Sequence, residues 1–188
     1  GLGSTIKKVA TRSDDLAKSH SRFDRFLYNV ATGLRARGKV PEEFFQLERT
    51  QVGERSADLV GARNISRELD TDIDKLFAPF KTITNKQSAK NRDLLLGQMN
   101  DVLLSGKPTM DADGIVTFGK MDKTASDKLI AELKKYGANE ETITSILGGF
   151  SVIRGKWGDL FTKLGKTGTG KDLDEFKSLF GDKVKSWL

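Results

Sequence analysis

The chain has 188 residues, of which 37% are hydrophobic and 31% charged, with a formal net charge of +6 and no cysteine. This length suits one domain or a small domain with extensions, and the composition favours amphipathic helices with much exposed surface. Without cysteine, disulfides and thiolate chemistry are excluded, and a single histidine excludes a zinc site. No apolar run is long enough to span a bilayer, and the N-terminus lacks the apolar core of a signal peptide.

The net charge lies at the N-terminal end of the chain. Residues 1–40 hold nine basic and three acidic residues, a balance of +6, and the remaining chain is neutral. A local basic segment attracts polyanions such as nucleic acid, acidic lipid or an acidic protein face; the alternative is a solvated helix with a positive tail. The candidate polyanion contacts are Lys7, Lys8, Arg12, Lys18, Arg22, Arg25, Arg35, Arg37 and Lys39.

Residues 1–12 are small, polar and basic, and we expect them to form a flexible arm. Ser13, followed by two aspartates, predicts the start of a helix, because acidic residues suit the positive end of the helix dipole. The helical pattern continues to about Arg37, where Gly38 fits a C-terminal cap.

Pro41 and the two glutamates after it predict a second helix start. Apolar residues then repeat every seven positions, which predicts one helix of about 35 residues with a partial heptad seam. Because a proline disfavours helix at the residue before it, we expect this helix to end at about Ala78, before Pro79. A further helix is predicted from about Asn85 to Leu104.

Residues 108–119 break the helical pattern and predict a small β-hairpin. Asp113-Gly114 is a strong turn signal, and the four residues after it are β-branched or aromatic. The same stretch resembles a decayed EF-hand loop, with Asp111 and Asp113 at two ligand positions. Thr109 and Lys120 stand where the first Asp and the bidentate Glu belong, so the hairpin is the favoured interpretation over calcium binding.

Helical patterning resumes at Asp122 or Thr124 and ends at Gly137. Asn139 then predicts the cap of a short helix that closes at Gly148-Gly149. A third helix follows, with apolar residues spaced helically through to Leu164.

The stretch from Gly165 to Asp172 fits seven of the eight positions of a nucleotide-binding P-loop. Gly165, Gly170 and Lys171 are in place, and Asp172 replaces the hydroxyl residue that binds Mg²⁺. The residues before it have helical spacing, whereas a P-loop follows a strand. We therefore interpret this stretch as a decoy, a Gly-rich hinge, and expect no cofactor, metal ion or small-molecule substrate.

The last helix follows that hinge. Asp172 with Glu175 three residues later predicts a capping box at its start. An aromatic-rich face then runs along it, and three targets stay open: its own domain, a partner protein or a membrane surface. The partner-docking candidates are Phe176, Leu179, Phe180 and Trp187.

The single histidine and the paired carboxylates predict no active site. His20 is flanked by serines and followed by Asp24, yet the chain holds no nucleophile turn of the G-x-S-x-G type. The pairs Asp72/Asp74 and Glu42/Glu43 fit helix caps and solvated faces. We therefore expect a protein that is not an enzyme.

Three runs of residues resemble helical regions of very large tailed-phage virion proteins, the internal or ejected polypeptides that travel with the genome. They are Val102-Leu-Leu-Ser-Gly106, Gly137-Ala-Asn-Glu-Glu141 and Ile153 through Phe161. Counted from Val102 to Phe161, the resemblance covers about a third of the chain. It assigns no catalytic residue. It implies a virion-internal structural part cut from a longer chain, which agrees with Gly1 in place of an initiator methionine, although Gly-Leu-Gly-Ser is equally typical of an expression scar.

Together these patterns predict an all-α protein with a long central helix, a C-terminal group of short helices and one hairpin. The expected organisation is a flexible basic arm at 1–12, a long-helix region at 13–105, a hairpin and short-helix bundle at 106–164, a Gly-rich hinge at 165–171 and an amphipathic helix at 172–188. The function predicted first is a helical structural or interaction module, virion-internal and touching nucleic acid, with a protein partner or larger assembly. The alternatives are a membrane-active or translocated helical protein and a P-loop-like nucleotide-binding protein.

Overall fold

The computed structural model describes residues 23–32 and 58–185, which form six α-helices and one antiparallel hairpin. This confirms the predicted all-α fold with a single small hairpin. In chain order the elements are α1 Phe23–Thr32, α2 Leu59–Thr84, α3 Ala89–Leu103, β1 Pro108–Met110, β2 Val116–Phe118, α4 Lys123–Lys135, α5 Glu140–Leu164 and α6 Lys171–Lys185.

Helix α2 differs from the predicted long helix at both ends. It begins at Leu59, because the Asp58 side chain accepts a hydrogen bond from the Gly61 amide at 2.9 Å and caps the first turn. It also continues through Pro79 to Thr84, so the prediction that the helix ends at Ala78 is wrong. Buried residues on both sides of the proline, such as Leu76, Phe80 and Ile83, hold it in the core, and this packing outweighs the hydrogen bond lost at the proline.

Helix α5 is one continuous helix of 25 residues, where two helices separated by Gly148-Gly149 were expected. Its predicted cap is confirmed, because the Asn139 side chain accepts from the Thr142 amide at 2.8 Å. The glycine pair lies inside the helix, because packing against α2 requires a residue without a side chain at one of the two positions. A Cβ atom on Gly149 would lie 2.7 Å from Leu76 Cδ1, so the missing side chain lets α2 approach.

The hairpin pairs Thr109 with Thr117 at the centre of its register. Its turn is built by Asp111, whose Oδ1 atom accepts hydrogen bonds from the amides of Asp113 and Ile115, both at 2.9 Å. Gly114 adopts φ +80°, a conformation that glycine tolerates best. One oxygen of Asp111, which stands at a ligand position of the EF-hand-like pattern, is thus used within the turn. No group of three metal-binding side chains occurs among the described residues.

Helices α2 and α5 run antiparallel and form the centre of the core. The Asp58 amide donates to the Lys163 carbonyl at 2.7 Å at one end, and Leu76 packs beside Gly149 near the other. An aromatic cluster joins α1 and α6 to this pair: Phe26 stacks on Trp157 at 5.6 Å between ring centroids, and Phe176 lies 4.2 Å from Trp157. Both terminal helices therefore belong to the same core.

Helices α3 and α4 begin with side-chain caps. The Ser88 hydroxyl accepts from the Asn91 amide at 3.3 Å, and Asp122 Oδ2 accepts from the Ala125 amide at 3.0 Å. In the part of the chain that the structure describes, no helix combines the length and apolar character needed to cross a membrane.

Candidate binding groove beside the hairpin

The hairpin is fixed on the second half of α5. The Val116 amide donates to Thr162 Oγ1 at 2.8 Å, and the Thr162 hydroxyl in turn donates to the Gly158 carbonyl at 2.8 Å. A Cβ atom on Gly158 would lie 2.6 Å from the Val116 carbonyl oxygen, so β2 rests directly on the helix backbone. This close contact determines where the surface between the two elements opens.

Arg154 is a buried cation that main-chain carbonyl groups hold in place, with only 5% of the residue exposed. Nη1 donates to the carbonyl oxygens of Leu103 at 2.7 Å and Ser105 at 2.6 Å, and Nη2 donates to that of Gly119. The guanidinium carbon lies 4.3 Å from the centroid of the Phe118 ring, a cation–π contact. Arg154 therefore joins the end of α3, the exit of the hairpin and α5 at one point.

The charge of Arg154 is balanced by dipoles rather than by an acid. Burial lowers its pKa from the ordinary value, yet an arginine stays protonated in proteins. The carbonyl groups at the C-terminal end of α3 carry partial negative charge and stabilise a cation there. Among the described residues no carboxylate forms an ion pair with Arg154.

A groove of about 730 Å³ runs between β2, the start of α4 and the outer face of α5. Its apolar part comes from Ile115, Phe118, Met121 and Leu147, and Ile115 is 46% exposed. Most of the residues around it are open to solvent, so it is a surface groove rather than an enclosed cavity. Such a surface offers apolar contact to a ligand without surrounding it.

The charged groups of the groove are mainly basic. Lys120 and Lys123 are exposed at its edge, and Arg154 lies beneath it. Asp159 is the one acidic residue among those that line it, so these four side chains carry a net charge of +2. The groove therefore combines an apolar surface with a positive edge.

Two small residues lie on the side of the groove that α5 forms. Ser151 and Gly155 are exposed and line it. A Cβ atom on Gly155 would meet nothing within 4 Å, and the same holds for Gly148 two turns earlier. Packing within the described chain explains Gly149 and Gly158 but not these two, although a glycine inside a helix is less favourable than alanine by about 0.5–1 kcal/mol.

The P-loop-like stretch forms the C-terminal cap of α5 and a tight connector. Helix α5 precedes it where a P-loop has a strand, and the Gly165 and Lys166 amides donate to the Thr162 and Phe161 carbonyls, both at 3.2 Å. These amides are therefore engaged within the chain and do not face a ligand. A Cβ atom on Gly168 would lie 2.6 Å from the Phe161 ring, so the connector is packed against α5.

The stretch ends in the first turn of α6, which contains Asp172. The predicted capping role of Asp172 is wrong, because α6 begins at Lys171 and Asp172 lies inside its first turn. Its charge still suits the helix dipole there. The Asp174 amide donates to the Gly170 carbonyl at 3.0 Å, and Lys171 is exposed.

The C-terminal helix packs in the core of its own chain. Phe176 and Phe180 are each 1% exposed and Leu179 is half-buried, so the first two are not free to dock on a partner. Phe180 also lies 5.9 Å from Phe77 of α2. Of the three targets left open for this face, its own domain is the one observed, because α1, α2 and α5 cover Phe176 and Phe180. Trp187, the remaining candidate for docking on a partner, lies outside the described residues.

The membrane-active alternative meets the same difficulty. A membrane-active chain would use the apolar faces predicted for residues 16–34 and 173–188. The described parts of both faces lie inside the core. The buried residues are Phe26, Leu27, Val30, Leu173, Phe176 and Phe180. Asn29 of α1 is also buried and donates to Glu175 Oε1 at 3.2 Å.

Most of the predicted polyanion contacts fall outside the described residues. Of the nine basic side chains, only Arg25 is described; it is half-buried on α1, and its Nε atom is enclosed. The expected arm at 1–12, the start of the long helix at 41 and His20 also lie outside.

No protein-family model, curated protein or solved structure matches this chain. The resemblance to tailed-phage virion proteins therefore stays a prediction that rests on three runs of residues. In the structure these runs lie at the end of α3, around the turn between α4 and α5, and in the second half of α5.

Sequence reasoning did not single out Arg154 or the groove. One signal was present, because Arg154 stands within a helical apolar stripe formed by Phe150, Ile153 and Trp157. A charged residue in such a stripe is a buried charge that needs partners. The partners themselves come from α3 and the hairpin, which no local pattern in α5 indicates.

Proposed function

We propose that this protein is a non-enzymatic helical interaction module that holds a segment of a partner protein in the groove between β2 and α5. The observation that carries the proposal is the open apolar groove with an unexplained glycine on its helical side. Gly155 leaves the α5 backbone accessible where nothing in the described chain approaches it. At Gly149 and Gly158, other parts of the chain lie close against the α5 backbone. At Gly155 a partner segment takes that position.

The shape of the groove favours a peptide over a small molecule. Its volume lies within the range of about 300–1,000 Å³ that is typical of small-ligand sites, but those sites bury most of the ligand surface. Here Ile115, Thr117 and Ser151 are exposed, so a small ligand stays largely in water. A helix or extended segment needs only one apolar face covered, which suits an open groove. If the resemblance to virion proteins holds, the partner is another protein of the particle.

Peptide selection with a matched pair of variants tests this function. We expect peptides selected from a displayed random library to bind the wild-type chain and Gly148→Leu, and to lose at least about tenfold in affinity for Gly155→Leu, since one well-packed contact is worth that much. Both glycines are exposed on α5 with open space at Cβ, but only Gly155 lines the groove. A selection that yields no peptide with this dependence contradicts the proposal.

A second candidate function is contact with a polyanion such as nucleic acid. The balance of +6 within residues 1–40 supports it, since the rest of the chain is neutral. The proposal assigns the contact to the basic residues before α1, because α1 itself packs in the core and its Arg25 is half-buried.

Removal of residues 1–22 separates this contact from folding. It deletes Lys7, Lys8, Arg12, Lys18 and Arg22 but leaves α1 in the core. We expect the full chain to bind duplex DNA at physiological salt with a dissociation constant of about 10⁻⁴–10⁻⁶ M, and the shortened chain to bind more weakly with a smaller salt dependence. Binding is measured by fluorescence anisotropy over a series of salt concentrations. Identical binding curves for the full and the shortened chain would rule the contact out.

A further inference from the structure

The charges around the groove identify the kind of segment that it accepts. This step rests on the proposed function and asks only what the partner segment is made of. Three positive groups, Lys120, Lys123 and Arg154, line a groove with one negative group, Asp159. Residues 41–188 as a whole are neutral, so the positive edge is a local feature and not a consequence of the general charge of the chain.

Arg154 strengthens this charge asymmetry because it is buried. The charge of a buried guanidinium is screened less by water and salt than the charge of an exposed lysine. Its Nη1 hydrogens are used by the Leu103 and Ser105 carbonyls, and Nη2 donates to Gly119, while Nε makes no hydrogen bond within the described chain. A guanidinium has five donor hydrogens, so donors remain for a carboxylate that enters the groove.

The apolar part of the groove selects against a nucleic acid. Ile115, Phe118, Met121 and Leu147 give it an aliphatic and sulfur-containing surface, with one aromatic ring that Arg154 already covers. Binding of single strands relies on several free aromatic rings for base stacking. A peptide offers both requirements at once, an apolar face for the groove and carboxylates for its positive edge.

We propose that the groove binds an acidic, apolar peptide segment of a partner protein. The carboxylates of the segment lie against Lys120 and Lys123 and approach Arg154, and its apolar side chains cover Ile115, Met121 and Leu147. Gly155 and Ser151 allow the segment to lie close to the α5 backbone. The positive edge sets the preference for acidic partners, because opposite charges across an interface raise the association rate and exclude like-charged segments.

Three terminally blocked 12-residue peptides serve as probes: alternating Leu and Glu, alternating Leu and Gln, and alternating Leu and Lys. They are titrated into the full chain and followed by fluorescence anisotropy at low and moderate salt. We expect the Glu peptide to bind at least about fivefold more tightly than the Gln peptide, and the Lys peptide to bind least, with the difference shrinking as salt is added.

Charge reversal locates the effect at the groove. Lys120→Glu and Lys123→Glu should each weaken the Glu peptide by about two- to fivefold, which is the range for exposed ion pairs. Lys128→Glu is the matched control, an exposed lysine of α4 that does not line the groove. These exposed positions are used because Arg154 also holds the fold together, so its replacement is not informative about binding alone.

The possible outcomes distinguish a preference for acidic peptides from the ability of the groove to bind a peptide at all. If the Gln peptide binds as tightly as the Glu peptide and both depend on Gly155, the acidic preference is overturned and the interaction module stands. If no probe and no selected peptide depends on Gly155, the proposed function is overturned as well. If a 12-nucleotide single-stranded DNA depends on Lys120 more strongly than the Glu peptide does, the assignment to a peptide is overturned.

Discussion

Four glycines of α5 show how a single atom decides the role of a residue in this protein. A Cβ atom on Gly149 would lie 2.7 Å from Leu76, and one on Gly158 would lie 2.6 Å from the Val116 carbonyl oxygen. Gly148 and Gly155 have open space at the same position. Residues of one type on one helix therefore divide into two that permit packing and two that face outward.

This difference predicts opposite effects for the same substitution. Gly158→Ala should lower the free energy of unfolding by about 1–3 kcal/mol, because backbone atoms of the hairpin must move to make room. Gly155→Ala should raise it by about 0.5–1 kcal/mol, because alanine is the better helix residue and meets no neighbour. Urea denaturation of both variants measures the two effects, and an unchanged Gly158→Ala protein would contradict the close seating of the hairpin on α5.

At the scale of elements, ion pairs between side chains as well as apolar packing hold the antiparallel helices α2 and α5 together. Lys156 of α5 forms an ion pair with Asp72 of α2 and lies 3.7 Å from Glu68. The Lys156 side chain is partly buried, and its hydrogen bond and charge interaction with Asp72 raise its pKa above the ordinary value of 10.5. Lys163 and Asp58 form a second, more exposed pair at 3.6 Å near the end of the same two helices.

The direction of the Lys156 pKa fixes the pH range in which this pair stabilises the fold. A pKa that is raised in the folded state contributes stability below 10.5, and the contribution is lost as pH rises through the folded value. We expect Asp72→Asn to lower stability by about 1 kcal/mol at neutral pH and to reduce the loss of stability above pH 10.5.

Thermal unfolding between pH 7 and 11.5 measures both effects of Asp72→Asn, with the pH limits chosen to span the range in which lysine titrates. Asp93→Asn, at an exposed position of α3, is the control for a general change in charge. Identical alkaline profiles for wild type and Asp72→Asn would show that the pair does not stabilise the fold.

At the scale of the whole molecule, the sequence predicted which helices and strands form better than it predicted where they begin and end. The hairpin and the cap at Asn139 follow from local residue types, and the structure has them as predicted. The C-terminal end of α2 and the continuity of α5 were missed, because packing across the antiparallel pair overrides a proline at 79 and the glycines at 148 and 149. Local patterns report what a segment prefers, and these positions are decided by the neighbouring helix.

The candidate site was not predicted for a related reason. The candidate sites predicted from the sequence each lie in one contiguous segment, such as the P-loop-like stretch and the aromatic face of α6. The groove is assembled from β2, α4 and α5, and its buried cation is held by α3. A surface made from three elements has no contiguous signature, although Arg154 within an apolar stripe marked one of its residues.

The position of Arg154 has a consequence for how the molecule opens. Its hydrogen bonds end on Leu103 and Ser105 of one segment and on Gly119 of another. If one segment separates from α5, the guanidinium loses some of its acceptors while the other segment still covers part of it, and a partly buried charge without partners is costly. We therefore expect the end of α3 and the hairpin to detach from α5 together rather than one at a time.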